Sequence, residues 1–287
     1  MKKFIIIIVL FFELFIMIYS KELIKEFTLT INICLYSLMP TMFFSVFLSN
    51  LLIKSNFNIS NRYINKIFNI DKNESSIIFL SILSGYPNNI KMLDNNSDEV
   101  MNYMTNFVNP LFLIGTVGNI YLNNKLLSIN ILICHYISNI IMMFILKNKH
   151  HNNKHIKINN ESNIYSSSLV TTIKTLSIIF SNLLFISLLV TLFKLTLPFN
   201  NNINSFLLGI LEFSKGIYEI SNTNLSLFIK GLLILIIITF GSISIHFQMI
   251  SINPKIKYIN YLKYRIINVL ISIIIYLIIN GLILVMN

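Results

Sequence analysis

Glu212 stands in an apolar stretch, residues 206–220 (FLLGILEFSKGIYEI), where a carboxylate is costly unless it is paired, hydrated or used. Ser214 follows two residues later. A second stretch, residues 79–93 (FLSILSGYPNNIKML), places Ser84 and Asn88 in similar surroundings. Asn109 precedes Pro110, and Gln248 closes the polar run FGSISIHFQ at 240–248. One acid with several neutral donors and acceptors suits the binding of a small, polar, uncharged solute. Glu212 could also hold a coupling cation.

Each candidate has a plainer alternative. Glu212 could form an internal ion pair with Lys91, Lys174 or Lys215. The serines and asparagines, Asn109 included, could cap broken helices. His246 and Gln248, two residues apart, do not share a helix face unless the helix breaks at Gly241. His135, alone in an apolar span, reads as a packing residue. His150, His151 and His155 lie in an Asn- and Lys-rich loop with no Cys and one nearby carboxylate, Glu161, so no metal site is expected. The chain has no GxSxG, HExxH or P-loop pattern, and neither enzymatic activity, a cofactor nor ATP-driven transport is expected.

The elements that must position these residues are short and broken. Residues 79–93 and 206–220 match at Phe79/Phe206, Leu80/Leu207 and Ile90/Ile217, with similar pairs at Leu83/Ile210 and Tyr86/Phe213. Each begins as an apolar run too short to span a bilayer and then breaks, at Gly85 and Pro87 in one and at Gly216 in the other. Pro110 and Gly241 mark further breaks. The composition is 55% hydrophobic and 11% charged, against roughly 25% charged in soluble domains. This is the composition of an integral membrane protein. The net charge of +11 sits mostly in short loops, as the positive-inside rule requires, and does not indicate nucleic-acid binding. Cys34 and Cys134 lie within apolar runs and read as inert thiols.

The pattern predicts an all-α membrane protein with about seven spanning helices, at 4–19, 28–52, 106–122, 126–146, 169–193, 225–253 and 266–285, the second kinked at Pro40. The first is read as a retained helix, followed by an amphipathic connector at 21–27. Basic loops at 54–75, 147–168 and 255–265 belong on the cytoplasmic side. Parity then makes the two short stretches re-entrant hairpins that enter from opposite faces. The result is an inverted repeat, an arrangement associated with secondary transporters. The expected divisions are 1–27, an N-terminal helix and connector; 28–147, a first repeat and linking helix; 148–168, a basic loop; 169–253, the inverted second repeat; and 254–287, a loop and final helix.

These landmarks resemble the sporulation integral membrane protein YlbJ family, with its nucleoside-recognition "Gate" domains. The resemblance covers about 36–279 and rests on LMPTMFF at 38–44, SGYPNNIK at 84–91, NPLFLIGTVG at 109–118, HYIS at 135–138, LLGILEFSKGI at 207–217 and FGSISIHFQMIS at 240–251. The chain departs from the pattern at Asn89, where the family has a second glycine, and at Phe107-Val108-Asn109, where it has Asn-Ser-Gly. The resemblance implies a role in endospore formation, at the plasma membrane of a sporulating bacterium. Gate domains in nucleoside transporters imply transport of a nucleoside-like solute by a transporter or channel. The alternative expectation is a non-transporting scaffold for spore envelope or cortex assembly.

Overall fold

The computed structural model describes residues 2–55, 57, 59, 62–86, 88–93, 99–150, 163–196, 201–253 and 256–286. The chain opens with α1 (Lys2–Ile18), α2 (Ser20–Asn32), a π-helical turn (Ile33–Leu38) and α3 (Met39–Lys54). Then follow α4 (Arg62–Phe68), α5 (Lys72–Ser84), α6 (Asn88–Met92), α7 (Glu99–Met104) and a second π-helical segment (Phe112–Tyr121). The remainder is α8 (Lys125–Leu146), α9 (Ile164–Thr196), α10 (Asn201–Leu211), α11 (Phe213–Ser221), α12 (Leu227–Phe240), α13 (Ser242–Ile252) and α14 (Tyr258–Met286). The protein is an all-α, multi-pass membrane protein.

Five helical runs among the described residues are long and apolar enough to cross a bilayer: Ser20–Lys54, Lys125–Lys149, Ile164–Thr191, Leu227–Ser251 and Tyr258–Leu282. The sequence reading has seven, and the difference lies in two places. At the N-terminus α1 (Lys2–Ile18), 17 residues long, occupies the position expected of the first span, and in the 106–122 segment the apolar helix is Phe112–Tyr121. The ten residues of the latter cover about half of a ~30 Å hydrocarbon layer. The 21–27 connector also differs from expectation, because it forms the first turns of the continuous Ser20–Lys54 run. The kink expected at Pro40 takes the form of the π-helical turn just before it. Proline has no N–H for the carbonyl four residues back, and a wider turn absorbs that mismatch.

Two trains of elements share one order. In the first, α5 breaks at Gly85 into α6, and α7 gives way at 105–109 to the π-helical segment. In the second, α10 breaks at Glu212 into α11, and α12 breaks at Gly241 into α13. Local chemistry fixes these boundaries. Asp71 and Glu74 form a reciprocal capping box at the start of α5, with both bonds 2.8 Å long. Asn124 caps α8 by accepting from the Leu127 N–H at 2.9 Å. Gly241 adopts a left-handed φ of 86° and Ser242 follows at 44°, so α12 cannot continue into α13 without a change of direction.

Polar clasps between helices supplement apolar packing. Asn50 of α3 donates to Thr172 of α9 (3.1 Å), Asn268 of α14 to Asn139 of α8 (3.0 Å), and Tyr276 of α14 to the Phe228 carbonyl of α12 (3.1 Å). In its most apolar window, the Leu227–Ser251 run is 56% buried and Tyr258–Leu282 only 22%. The former is central. The latter exposes Leu270, Ile274, Leu277, Ile278 and Leu282, a face suited to lipid.

Candidate functional site

The breaks in the two trains meet. The backbone N–H of Tyr86, just past Gly85, donates to the Phe107 carbonyl at 2.9 Å, joining the first break to the 105–109 segment. The Tyr86 ring contacts Phe213, just past Glu212, edge-on at 6.0 Å between centroids. Phe112 meets Phe213 in the same manner at 5.3 Å. The Tyr86 hydroxyl donates to the Ile238 carbonyl near the end of α12 at 3.0 Å. His135 of α8 completes the junction. Its Nε2 accepts from the Val108 N–H at 3.1 Å, so Nδ1 carries the proton and donates to Thr239 Oγ1, also at 3.1 Å.

Arg265 lies at this junction as well. It is 2% exposed. Its Nε donates to the Phe240 carbonyl at 2.8 Å and its Nη2 to Ile238 at 3.3 Å. These are carbonyls from the last turn of α12, which have no partner within the helix and form its electronegative end. The guanidinium also lies 5.7 Å from the centroid of the Tyr86 ring and 5.9 Å from that of Tyr261. A side chain at Gly241 would meet Nη2 at 2.6 Å, so glycine there both permits the left-handed turn and leaves room for the guanidinium.

The residues singled out from sequence divide into two groups. The first is engaged in the fold. Asn109 accepts from the Leu111 N–H (2.8 Å) and the Phe112 N–H (3.2 Å), and its amide nitrogen donates to Ser45 Oγ and to the Ser84 carbonyl (3.2 Å). It caps the helical turn that Pro110 begins. Ser84 Oγ donates back to Leu80 at 2.9 Å. Gly85 has a φ of 71°, and a methyl group there would overlap the Asn109 backbone.

The second group consists of buried polar atoms without a protein partner: both amide atoms of Asn88 and Gln248 Oε1, joined by Asn89 Oδ1 and Arg265 Nη1, whereas Ser214 lies against the Glu212 carboxylate. Buried polar atoms in native proteins are overwhelmingly paired; these lie on segments that adjoin the breaks, and others lie elsewhere, on Asn65, Ser168 and Asn268. His246, near Gln248 on α13, is engaged: Nε2 donates to the Phe240 carbonyl at 3.0 Å and Nδ1 accepts from Tyr258 at 3.3 Å. Pro87 lies outside the described residues, as do His151, His155 and the rest of 151–162.

Glu212 is 3% exposed and is the N-cap of α11, where its carboxylate accepts from the Lys215 N–H at 2.6 Å. Of the lysines considered as its partner, Lys215 directs its ammonium to Glu26 on α2. Gly216 packs directly on Leu208 and Gly209, where a methyl group would overlap the backbone, and this closes α10 and α11 into a hairpin. Among the described residues no cluster of three or more His, Cys, Asp or Glu could hold a metal ion. An open cavity of about 380 Å³ lies elsewhere, between α1, α2 and α9, lined by Ile16, Leu23, Ile24, Phe27, Ile31 and Leu188 among others. Its nearly all-apolar lining suits lipid chains and not a polar solute.

Sequence reasoning missed Arg265, Glu26 and Tyr261. Arg265 was grouped with the loop cations at 255–265, although a signal was present: the chain has only two arginines amid its many lysines. Arginine is the cation that suits carbonyl and aromatic contacts in a buried setting. Glu26 had a weaker signal, as a carboxylate in a segment read as a connector. No family model, no curated protein and no solved structure matches the chain.

Proposed function

We propose that the chain is a secondary-type transporter or channel for a small polar solute, with the two trains of elements acting as inverted repeats and the solute held where their breaks meet. The observation that carries this reading is the coincidence of four helix interruptions with buried, unpartnered polar atoms on Asn88, Asn89, Gln248 and Arg265. Irregular backbone at membrane depth is tolerated where it is buried in protein or lines a cavity. Transporters place such broken elements at their binding sites. Arg265 Nη1 offers a donor, Gln248 Oε1 an acceptor, and Asn88 both kinds, with Ser214 beside Glu212. Glu212 is the candidate for a coupling cation or a solute hydroxyl. On the resemblance to the YlbJ family, the proposed setting is the plasma membrane of sporulating cells, and nucleosides are the first solutes to try.

The test is uptake of a labelled panel of polar solutes, headed by nucleosides, into vesicles containing the wild-type chain or Glu212→Gln. Uptake of one member by the wild type is expected to fall at least about tenfold in Glu212→Gln, at equal protein in the membrane. Full uptake by Glu212→Gln removes Glu212 from the site. A wild type that moves nothing on the panel, while cells with and without the chain keep identical small-molecule contents, removes the transport reading.

A further inference from the structure

The reading above assigns the solute site to the two repeats and leaves α2 outside it. The polar contacts extend further. Glu26 of α2 forms an ion pair with Lys215, 189 residues away in sequence. The Lys215 side chain is 1% exposed and that of Glu26 18%, so water screens little of their attraction. The backbone N–H of the same lysine donates to the Glu212 carboxylate. Lys215 lies in the first turn of α11, whose N-cap is Glu212. Within the hairpin, α10 and α11 are packed backbone to backbone at Gly209 and Gly216. Its break is held by aromatic edges on one side, Phe213 against Tyr86 and Phe112, and through Lys215 by charge on α2.

We propose that Glu26 is a positioning residue for the second hairpin. Through Lys215 it fixes the first turn of α11, and with it the Glu212 carboxylate. The proposal rests on reading this hairpin as part of the solute site, and it makes α2 a working component of that site.

A thiol reporter tests this without any need for a solute. Ile217, buried on α11, is replaced by Cys in a chain whose Cys34 and Cys134 are replaced by Ala. Reaction with N-ethylmaleimide is followed in native membranes for this parent and for Glu26→Gln, Lys215→Gln and the double variant. Either single change removes the tie between α2 and the first turn of α11, so each is expected to raise the reaction rate about tenfold or more. The double variant should react within about twofold of the faster single variant, because both changes remove one and the same interaction. The proposal is overturned if Glu26→Gln reacts at the parent rate, or if the two effects multiply in the double variant. A pair that only supports folding would lower the amount of inserted protein without changing the reaction rate of what is inserted, and that result also overturns it. None of these outcomes depends on transport. The positioning role can therefore fail while the transporter reading stands, and full uptake by Glu212→Gln would remove Glu212 from the site while leaving the labelling result intact.

Discussion

The two hairpins solve the problem of a broken helix in different ways. At Gly85 the break is sealed by neutral groups from its own half. Asn109 lies against the turn, donates to the Ser84 carbonyl and to Ser45, and accepts from two N–H groups of the following helix. At Glu212 the seal is a carboxylate on the Lys215 N–H, with the ammonium of that residue tied to α2. The first break is held by neutral hydrogen bonds involving Ser45 and Ser84, while the Tyr86 side chain reaches Ile238 and Phe213 in the other half. The second depends on a distant charge, which is the kind of contact that can be exchanged without unfolding a helix. Under the proposed transport reading, the first hairpin is the fixed wall and the second the responsive one.

The largest effect should come from the wall. Gly85→Ala forces a left-handed backbone on alanine and drives a methyl group into Asn109. The combined strain and overpacking is roughly 3 kcal/mol or more, and little folded protein is expected. The chain lacks tryptophan, but Cys34 and Cys134 are buried free thiols. A fluorogenic thiol dye followed on heating in detergent therefore reports unfolding directly. A variant that melts with the wild type would show that the turn is not locked. Asn109→Ala comes next. It removes a cap and the bond to Ser84, a loss of about 2 kcal/mol in the same assay. If Asn109 instead served the solute alone, its replacement would leave the melting unchanged and abolish uptake.

Asn88→Ala should have the smallest effect on stability. Its amide has no protein partner to lose, so the melting temperature should shift by no more than about 0.5 kcal/mol allows, in either direction. Uptake should nevertheless fall. A large loss of stability would mean that Asn88 is held by the fold, and the distinction between engaged and unpartnered asparagines would collapse.

Much of the coarse architecture was legible from sequence because it depends on properties that accumulate along the chain. Apolar runs define spans, and glycines interrupt them where an L-residue would be strained, as at Gly85 and Gly241. Tyr86 and Phe213 are matching positions of the two stretches in the sequence, and their ring contact is visible only in the fold. The site was legible only in part. Asn88 and Asn109 have the same side chain and both lie near a proline, yet one is unpartnered and the other fully bonded. That difference depends on which backbone groups arrive from elsewhere in the fold. Arg265 and Glu26 were hidden for the same reason, because loop-charge counting assigns such residues to water before packing decides otherwise.

The long Ser20–Lys54 run has a geometric consequence. A helix of 35 residues is about 52 Å long, against a hydrocarbon layer about 30 Å thick. Keeping both ends inside the layer would need a tilt of about 55°, beyond the ~40° upper end of the usual range. One end must emerge, and the charged end is the one carrying Lys21, Glu22, Lys25 and Glu26. Lys215 is tied to that end. The second hairpin thus has one of its anchors at the charged end of a run longer than the layer is thick.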